Sequence, residues 1–488
     1  MGSFAEPNSS PRGRVQVANH IPHLGTNVRI TPQARYYAVA ELARRAGVTR
    51  EFFRTWKVSA TSDHTVFEIA NGTCKFIRFP HASPKILKSL ALGEMSSISV
   101  PLVSNIGEGN DNQLSHTVVP FVSSETLDGR PLFYLSDPNH LECSLDLPLS
   151  ILLTLSRWEE MFEIPRDGHG RFQARDSITC TGGFLDRPIV DEYGLAFEQA
   201  MTLLFPSWKK TSRKLRIKVS HDADHVGIPF RWKTALRHSR SGAIQNSFRD
   251  VFSQFSRVDP AELNSIRHIT LASMKHGLNS TVYWKAAPPG PKDSGYDPRH
   301  DKVRQMVKWL DNMQVESGVH PGYNTFRAPE KLRREVAILR DTLGDRPLGG
   351  RQHYLRWSPD TWLDWENCGL VYDSSVGFAE QIGFKAGTCI PYQPWLFPLN
   401  RQADLIEIPL LVMDRTLLAY MGLSKGQAIH AVNQLVDRCR MVGGVFTILW
   451  HNDAFLNPFY RDVYLSLLGS LSGIENYNWQ SEPIPLFT

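Results

Sequence analysis

The sequence predicts an α/β fold with a (β/α) barrel in its C-terminal part, preceded by a smaller α+β domain. Three observations support this class: strand-like and helix-like segments alternate after residue 211, most helix-like segments end at glycine, and polar side chains follow several strand-like runs. Regular alternation of strands and helices favours parallel βαβ units. Because a barrel builds its active site at the C-terminal ends of its strands, those polar side chains are predicted to share one mouth.

The 488 residues divide into three predicted parts. They are a flexible arm rich in Pro, Gly, Ser and Asn (1–34), an N-terminal α+β domain of unknown role (35–210) and the barrel (211–488). Within the second part, helices are predicted over 35–48 and 147–162. The polar and basic stretch SWKKTSRKL at 207–215 precedes a strong strand and marks the domain boundary.

The barrel part contains six strand-like runs and four helix-like stretches. The strand-like runs are LRIKVS, STVYW, GVH, LVYD, LIEIPLLV and GGVFTILWH. The helix-like stretches are 297–317, 329–343, 358–369 and 424–444, with predicted glycine stops at 318, 344, 369 and 443. Glycine is favoured after a helix because it adopts the left-handed backbone conformation at little cost.

Composition and charge exclude several classes of function. A net charge of +5 on so long a chain, with no concentrated basic stripe, argues against nucleic acid as a partner. The six cysteines show no C-x-x-C spacing, so neither a disulfide framework nor a structural zinc site is indicated. The N-terminus has no apolar signal segment, and no apolar run approaches the roughly 18 residues of a membrane span. A cytoplasmic location is expected, with work connected to the cell envelope as the alternative.

The stretch RIKVSHDADH places two carboxylates and two imidazoles at the end of the first barrel strand. Asp222 and Asp224 are two residues apart, so on an extended strand they face the same side. Carboxylates that close repel each other unless a cation lies between them or one is protonated. This favours a metal or acid–base site; the alternative is a turn or a helix cap, where Asp is also common.

Three further side chains are predicted to reach the same mouth. His320, before the turn PGYN, suits a neutral imidazole ligand, although a buried core histidine is equally compatible with the pattern. His451, after the strand FTILW, suits general acid–base chemistry, with a core histidine as the alternative. Arg351, after the glycine pair 349–350, could hold a carboxylate and lower its pKa, or could simply lie on the surface.

These segments together resemble the polysaccharide deacetylases, the NodB-homology domain of carbohydrate esterase family four. Five motifs occur in family order: HDAD, HPGYN, RQHY, LVYDSS and LWH. The whole chain resembles a bacterial subgroup found with surface-polysaccharide genes, whose members carry an extra N-terminal domain. The resemblance implies a distorted NodB-type barrel. The insertion at 226–280 departs from minimal family members and is a candidate lid or substrate wall.

The resemblance also implies roles for individual residues. It makes Asp222 the catalytic base held by Arg351, His451 the general acid supported by Asp373, and the backbone N–H of Tyr354 an oxyanion donor. The implied ligands of one divalent metal ion, with zinc the leading candidate, are Asp224, His320 and Asn324. Asn324 departs from the histidine of the family motif, so His225 and His353 remain possible substitutes. Both prolines of the family's third motif are also missing from RQHY.

The predicted function is a metal-dependent hydrolase that removes an acyl group, N-acetyl foremost, from an amino sugar or a polysaccharide precursor. The first alternative is O-deacetylation or deformylation of a carrier-linked sugar. The second is a carbohydrate-binding protein whose catalytic site has decayed, suggested by Asn324 and the missing prolines. The expected partner is an acetylated amino-sugar carbohydrate; the sequence does not indicate an oligomeric state.

Overall fold

A computed structural model describes residues 30–71, 73–91, 94–102, 116–122, 130–228 and 259–480. Residues 1–29 of the predicted arm and residues 229–258 of the predicted insertion lie outside these ranges. Within them the chain is a mixed α/β protein with two sheets of five and nine strands and two smaller strand pairs. No helix among the described residues is both long and apolar enough to cross a membrane.

The N-terminal part packs helices on a mixed five-stranded sheet. Its helices are Pro32–Arg45 (α1), Arg50–Phe53 (α2), Pro84–Ala91 (α3), Leu147–Leu155 (α4), Ile178–Thr181 (α5) and Ile189–Leu204 (α6). Its strands are Trp56–Ala60 (β1), His64–Asn71 (β2), Thr73–Pro80 (β3), Ser97–Pro101 (β4), His116–Pro120 (β5), Phe133–Asp137 (β6) and His140–Cys143 (β7). The sheet order is β1-β2-β3-β7-β6, in which only β3 and β7 run parallel, while β4 and β5 pair separately.

Two helix predictions in this part need adjustment. The first helix begins at Pro32, inside the predicted arm, because the Thr31 hydroxyl accepts a hydrogen bond from the N–H of Ala34 and caps it. The helix predicted over 147–162 ends at Leu155. There the backbone of Arg157 is left-handed (φ 53°), and a short 3₁₀ turn follows over Trp158–Met161.

The C-terminal part is built on a sheet whose strands are all parallel. The strands are Arg216–Ala223 (β8), Ser280–Trp284 (β9), Glu316–Val319 (β10), Leu348–Gly350 (β11), Leu370–Asp373 (β12), Ile406–Glu407 (β15), Val412–Met413 (β16), Val445–Leu449 (β17) and Glu475–Asn476 (β18). Trp395–Leu396 (β13) and Arg401–Gln402 (β14) form a separate antiparallel pair. The strand order β15-β12-β11-β10-β9-β8-β17-β16, with β18 beside β8, confirms the predicted parallel arrangement.

The two ends of this sheet are joined by one short segment, which makes the fold barrel-like. Only residues 408–411 separate β15 from β16. On one side the N–H of Ile408 donates to the carbonyl of Asp373 at 2.8 Å; on the other, the N–H of Leu411 donates to the Thr447 hydroxyl at 3.0 Å. The run predicted as the single strand LIEIPLLV is therefore two short strands, each paired with a different neighbour.

Helices connect the parallel strands, as predicted. They are Ala261–Lys275 (α7), Asp301–Asn312 (α8), Pro329–Leu343 (α9), Asp360–Asn367 (α10), Lys425–Val442 (α11) and Pro458–Leu471 (α12). Gly344, Gly369 and Gly443 follow three of them with positive φ, as expected of stop signals. Gly318 was predicted to be a fourth stop but lies inside β10. The sequence interpretation missed α7, α12 and the three-residue strand β11.

Two adjacent glycines allow neighbouring strands to approach closely where β11 runs. A Cβ atom at Gly350 would lie 1.9 Å from the carbonyl oxygen of Val319 in β10. A Cβ atom at Gly349 would lie 2.1 Å from the ring of Tyr372 in β12. Because no side chain fits at either position, the pair brings neighbouring strands close and starts the turn that carries residues 351–355.

The N-terminal part and the barrel share one hydrophobic core cluster, which includes residues from α1, α4 and α6 as well as from β9 and β10. A buried polar network also joins them. The Asp191 carboxylate accepts hydrogen bonds from Nε of Arg45 at 2.8 Å, the Thr388 hydroxyl at 2.6 Å and the N–H of Cys389 at 2.8 Å. Since a buried carboxylate is stable only when paired, these contacts hold the N-terminal part firmly against the barrel.

Candidate active site

The chemically capable side chains of the barrel lie where its parallel strands end. The residues that follow β8, β9, β10, β11, β16 and β17 include Asp224, Lys285, His320, Arg351, Asp414 and His451. In a barrel-like sheet these ends form one mouth. The contacts described below join all six into one cluster, with His353 from the turn after β11.

Three potential metal-ligand atoms meet at the centre of this mouth. Oδ1 of Asp224 lies 3.2 Å from Nε2 of His320 and 3.2 Å from Nε2 of His353. The three atoms all lie within 4.8 Å of one another, and both histidines are buried. Two imidazole nitrogens and one carboxylate oxygen form a donor set typical of catalytic zinc sites.

Both histidines of this cluster have a contact at their other ring nitrogen. Nδ1 of His320 is 2.8 Å from the backbone carbonyl of Arg351, to which it can only donate. A proton on Nδ1 of His320 thus leaves the lone pair of its Nε2 directed at Asp224. Nδ1 of His353 lies 2.8 Å from Oδ1 of Asp293, without hydrogen-bond geometry. Such outer contacts commonly fix the tautomer and direction of histidine ligands.

Local charge shows that this cluster suits a cation. Oδ1 of Asp224 and Nε2 of His320 are buried and form no hydrogen bond of ordinary geometry within the described part of the chain. The Lys285 ammonium nevertheless lies 2.7 Å from that oxygen, and 3.2 Å from Nε2 of His353. Positive charge is therefore already drawn to the point where the ligand atoms meet, and the donor set fits a divalent ion.

Asp222 lies beside this cluster and is held by an arginine. Nη1 of Arg351 donates to Oδ1 of Asp222 at 2.9 Å, and both side chains are buried. Oδ2 of the same carboxylate lies 3.7 Å from Nδ1 of His320. Burial raises the pKa of Asp222, but neighbouring positive groups, with Arg351 bonded directly to the carboxylate, outweigh burial and hold the pKa below its ordinary value. Asp222 is thus a carboxylate at neutral pH.

His451 completes the mouth and is held by Asp414. Nδ1 of His451 lies 2.7 Å from Oδ1 of Asp414, while Nε2 lies 3.7 Å from Oδ2 of Asp224. Burial lowers the pKa of His451, but the carboxylates of Asp414, Asp224 and Asp222 outweigh burial and raise it to about 10. The imidazole therefore carries a proton at neutral pH, with its Nε2 edge facing the ligand cluster.

The structure puts Asp373 in a different place from the one expected. The partner of His451 is Asp414, whereas Asp373 accepts hydrogen bonds from the N–H of Ser375 at 2.9 Å and from Nε1 of Trp357 at 3.1 Å. The Ser375 hydroxyl in turn accepts the N–H of Gln352 at 2.8 Å. Through Ser375, Asp373 thus supports the backbone between Arg351 and His353. The prediction that Asp373 supports His451 is wrong.

Asn324 is also placed differently from the sequence interpretation. It is exposed on a short 3₁₀ turn over Tyr323–Thr325, and the ligand cluster contains His353 in its stead. Of the two substitutes considered, His225 is exposed and lies outside the cluster.

The neighbouring His221 is fully buried, with its ring nitrogens 2.9 Å from the Trp450 carbonyl and 3.0 Å from the Ser280 hydroxyl. Burial lowers the pKa of His221 to about 4, so it is a neutral core residue.

The backbone directly after His353 is strained. Tyr354 (φ 60°) and Leu355 (φ 52°) are consecutive left-handed residues, and neither is glycine. Such conformations cost of order 1–3 kcal/mol each and cluster at functional sites. The carbonyl of Pro321 fixes the turn by accepting the N–H of His353 at 3.1 Å.

Sequence reasoning missed three residues of the site and kept a fourth only in reserve. Asp414 and Lys285 directly follow strands, so the rule that selected His320 could have found them. His353 was considered only as a substitute for Asn324. Asp293 lies in an irregular loop, and no sequence pattern marks it.

Comparison with known proteins adds little on activity. A family model described as a family of unknown function (DUF7033) matches residues 30–206. The dihydroxyacetone synthase of Candida boidinii is 26% identical over 147 residues, which cover 26% of this chain and 20% of that protein. The chain thus spans about a fifth of the length of this curated relative.

Several solved structures match part of the chain. One described as a polysaccharide deacetylase from Mycobacterium smegmatis is 12% identical, with a TM-score of 0.39, covering 56% of this chain and 90% of that one. A structure so described from Pseudomonas aeruginosa PAO1 is 13% identical, with a TM-score of 0.37, covering 55% and 89%. Puue allantoinase is 13% identical, with a TM-score of 0.38, covering 57% and 94%. At these identities and TM-scores the likeness gives no information on activity or substrate.

Proposed function

We propose that this chain is a metal-dependent hydrolase that removes an acyl group, N-acetyl foremost, from an amino sugar of a polysaccharide or its precursor. One observation carries the proposal: a buried carboxylate, a cluster of ligand atoms and a protonated imidazole converge at one barrel mouth. Water activation, binding of a carbonyl and protonation of a leaving amine are the three tasks of amide hydrolysis. Each of these tasks has a matching group within the cluster.

The ligands in this proposal are Asp224, His320 and His353, and zinc is the ion that suits them best. When bound, such an ion lowers the pKa of a water ligand and polarises the carbonyl of a substrate. Because His353 supplies the second imidazole, the departure at Asn324 does not by itself indicate a decayed site. This reasoning favours an enzyme over the carbohydrate-binding alternative.

Asp222 is assigned the role of general base. Its Oδ1 is occupied by Arg351, so the proton of the attacking water passes to Oδ2, the oxygen on the side of His320. The arginine also fixes the orientation of the carboxylate, since its Nε donates to the Ser374 carbonyl at 2.9 Å and cannot turn freely. A positioned base of this kind contributes roughly 10²- to 10⁴-fold to rate.

His451 is assigned the role of general acid. Asp414 holds Nδ1, so the proton available for transfer is the one on Nε2, which faces Asp224 and the ligand cluster. An amine leaves poorly as an anion, and this proton makes it a neutral leaving group. The N–H of Tyr354, on the strained turn after His353, is assigned to the oxyanion that develops on the carbonyl.

The test combines metal analysis with product analysis. Purified protein is treated with chelator, re-supplied with zinc and given N-acetylglucosamine oligomers, and released acetate and free amine are measured. We expect zinc-dependent release of both in equal amounts, lost in Asp222→Asn and His451→Gln. Acetate released only from O-acetylated sugar would replace amide hydrolysis by ester hydrolysis. The absence of both metal binding and hydrolysis would overturn the proposal.

A further inference from the structure

One turn of the N-terminal part, residues 167–171, is closed by its own hydrogen bonds and lies at the barrel mouth. Oδ1 of Asp167 accepts the N–H groups of His169 and Arg171, each at 2.9 Å. The N–H of Gly170, which has a φ of +76°, donates to the Asp167 carbonyl at 2.8 Å, and the N–H of Asp167 donates to the carbonyl of Arg171 at 3.0 Å. These bonds close the turn on itself and present the His169 side chain at its tip.

The same turn contacts two segments of the barrel mouth, the one at 354–356 and the one that carries Tyr420. Nε of Arg356 donates to the His169 carbonyl at 2.7 Å. Nη1 of Arg171 donates to the Tyr354 carbonyl at 3.3 Å, and its Nη2 donates to the Tyr420 hydroxyl at 3.3 Å. The turn is thus fixed to the barrel, and the position of its tip relative to the site is defined.

His169 and two tyrosines form an aromatic corner beside the ligand cluster. The His169 ring centroid lies 4.8 Å from that of Tyr354 and 5.9 Å from that of Tyr323, and the two tyrosine rings are 5.3 Å apart. Tyr354 is in turn 4.6 Å from the ring of His353, whose Nε2 is 3.2 Å from Oδ1 of Asp224. His169, Tyr323 and Tyr354 are all partly exposed.

The aromatic corner suits a sugar ring as its ligand. Aromatic faces pack against the apolar C–H face of a pyranose, while polar atoms at the ring edges can bond its hydroxyl groups. Nδ1 of His169 already lies 3.2 Å from the Tyr323 hydroxyl, and the Arg356 guanidinium lies 3.9 Å from the centre of the Tyr323 ring. The sugar contacts therefore fall to Nε2 and the ring of His169 and to the ring and hydroxyl of Tyr354. The corner is adjacent to His353, so a ring bound there would place its substituent close to the ligand cluster. The corner has walls from both parts of the chain, because His169 belongs to residues 30–206 and the tyrosines to the barrel.

We infer that the turn at 167–171 completes the substrate site, and that His169 forms, with Tyr323 and Tyr354, a pyranose-binding corner. This inference rests on the proposed function for its choice of ligand. It gives the N-terminal part a direct role in holding carbohydrate. His169 is a positioning residue for substrate, with no part in the transfer of protons or acyl groups.

The kinetic test separates ring stacking from other roles of His169. Ala and Gln at position 169 remove the ring, and we expect both to raise KM for N-acetylglucosamine tetramer roughly 3- to 10-fold, with a smaller change in kcat. His169→Phe keeps the ring and should restore KM. The matched control is His430→Ala, at an exposed position on α11. Equal KM values for wild type, Ala and Gln would overturn the inference, as would a Phe variant as weak as Ala.

A binding measurement distinguishes failure of this inference from failure of the proposed reaction. Calorimetric titration of N-acetylglucosamine tetramer needs no turnover. Weaker binding by His169→Ala and His169→Gln, with wild-type affinity for His169→Phe, supports the corner even if no acetate is ever released. Equal affinity in all four proteins, or no binding by the wild type, rejects the corner whatever reaction the site performs.

Discussion

Asp414 holds His451 by two contacts, since its Oδ1 lies 2.7 Å from Nδ1 and its Oδ2 accepts the backbone N–H of the same residue at 3.0 Å. The two residues follow neighbouring parallel strands, in which Met413 pairs with Leu449. The carboxylate is therefore fixed relative to both the ring and the backbone that carries it. A histidine held in this way has one tautomer and one orientation.

Asp414→Asn should lower kcat on acetylated amino-sugar oligomers by about 10²- to 10⁴-fold, because the amide neither fixes the tautomer nor stabilises the imidazolium. Steady-state kinetics from pH 5 to 10 measures the effect. Asp453→Asn is the matched control, since Asp453 lies two residues after His451 but pairs with Arg415. A normal rate in Asp414→Asn would refute the assignment.

The composition of the ligand cluster predicts which substitution weakens metal binding. His353→Ala should weaken zinc binding at least about 10-fold, because the cluster loses one of its two imidazoles. Asn324→Ala should keep the affinity of the wild type, since Asn324 is exposed and outside the cluster. Competition with a fluorescent chelator gives both constants. Weaker binding in Asn324→Ala alone would favour the ligand set first predicted.

The buried pair of Asp222 and Arg351 predicts a large effect on stability. Arg351→Met leaves the Asp222 carboxylate buried without its partner and should lower the free energy of unfolding by about 3–5 kcal/mol. Arg346→Met is the control, because Arg346 pairs with Asp311 at an exposed site, where such a pair contributes about 0–1 kcal/mol. Urea unfolding compares the two. The prediction fails if both variants lose the same small amount.

The buried carboxyl group of Glu335 predicts how the free energy of unfolding depends on pH. Burial raises the pKa of Glu335 to about 7, while its Oε2 accepts the N–H of Gly322 at 2.8 Å. The folded state therefore binds a proton more tightly than the unfolded state, and the stability gained from it is full below about pH 4.5 and falls as the pH rises through 7. The loss is of order 3 kcal/mol.

Glu335→Gln should remove this dependence, because the amide is neutral at every pH and its oxygen can still accept the Gly322 N–H. Urea unfolding at pH 5 and pH 8 measures the difference, and the variant should be the more stable protein at pH 8. Glu330→Gln, on the exposed face of the same helix α9, is the matched control and should behave as wild type. A Glu335→Gln protein that loses stability between pH 5 and 8 as steeply as wild type would contradict the assignment.

Local patterns in the sequence predict the barrel strands and the residues that follow them. The runs STVYW and LVYD form strands with the predicted bounds, because each is a buried β-branched and aromatic segment that ends at a turn or a polar residue. Asp224, His320 and His451 could be selected from the sequence because they follow such strands. Whether a residue follows a strand can be inferred from the local sequence, and the parallel sheet then brings such residues close together in space.

The pairing of residues between strands could not be predicted in the same way. Asp373 ends one strand and Asp414 follows another, and only the strand order shows that Asp414 lies beside His451. That order depends on residues 408–411, which interrupt the predicted strand LIEIPLLV, so that β15 and β16 pair with different strands. His353 depends on two left-handed residues that are not glycines, so nothing in the sequence marks the turn that aims it at Asp224.

Lys285 gives the site its own counterion. Its ammonium contacts Asp224 at 2.7 Å and lies 3.6 Å from Asp293, so one cation of the chain itself lies beside both carboxylates. Under the proposed function, an incoming metal ion has to displace this ammonium from Asp224. Metal-free protein should therefore remain folded, because the lysine then stands beside the carboxylate in place of the ion.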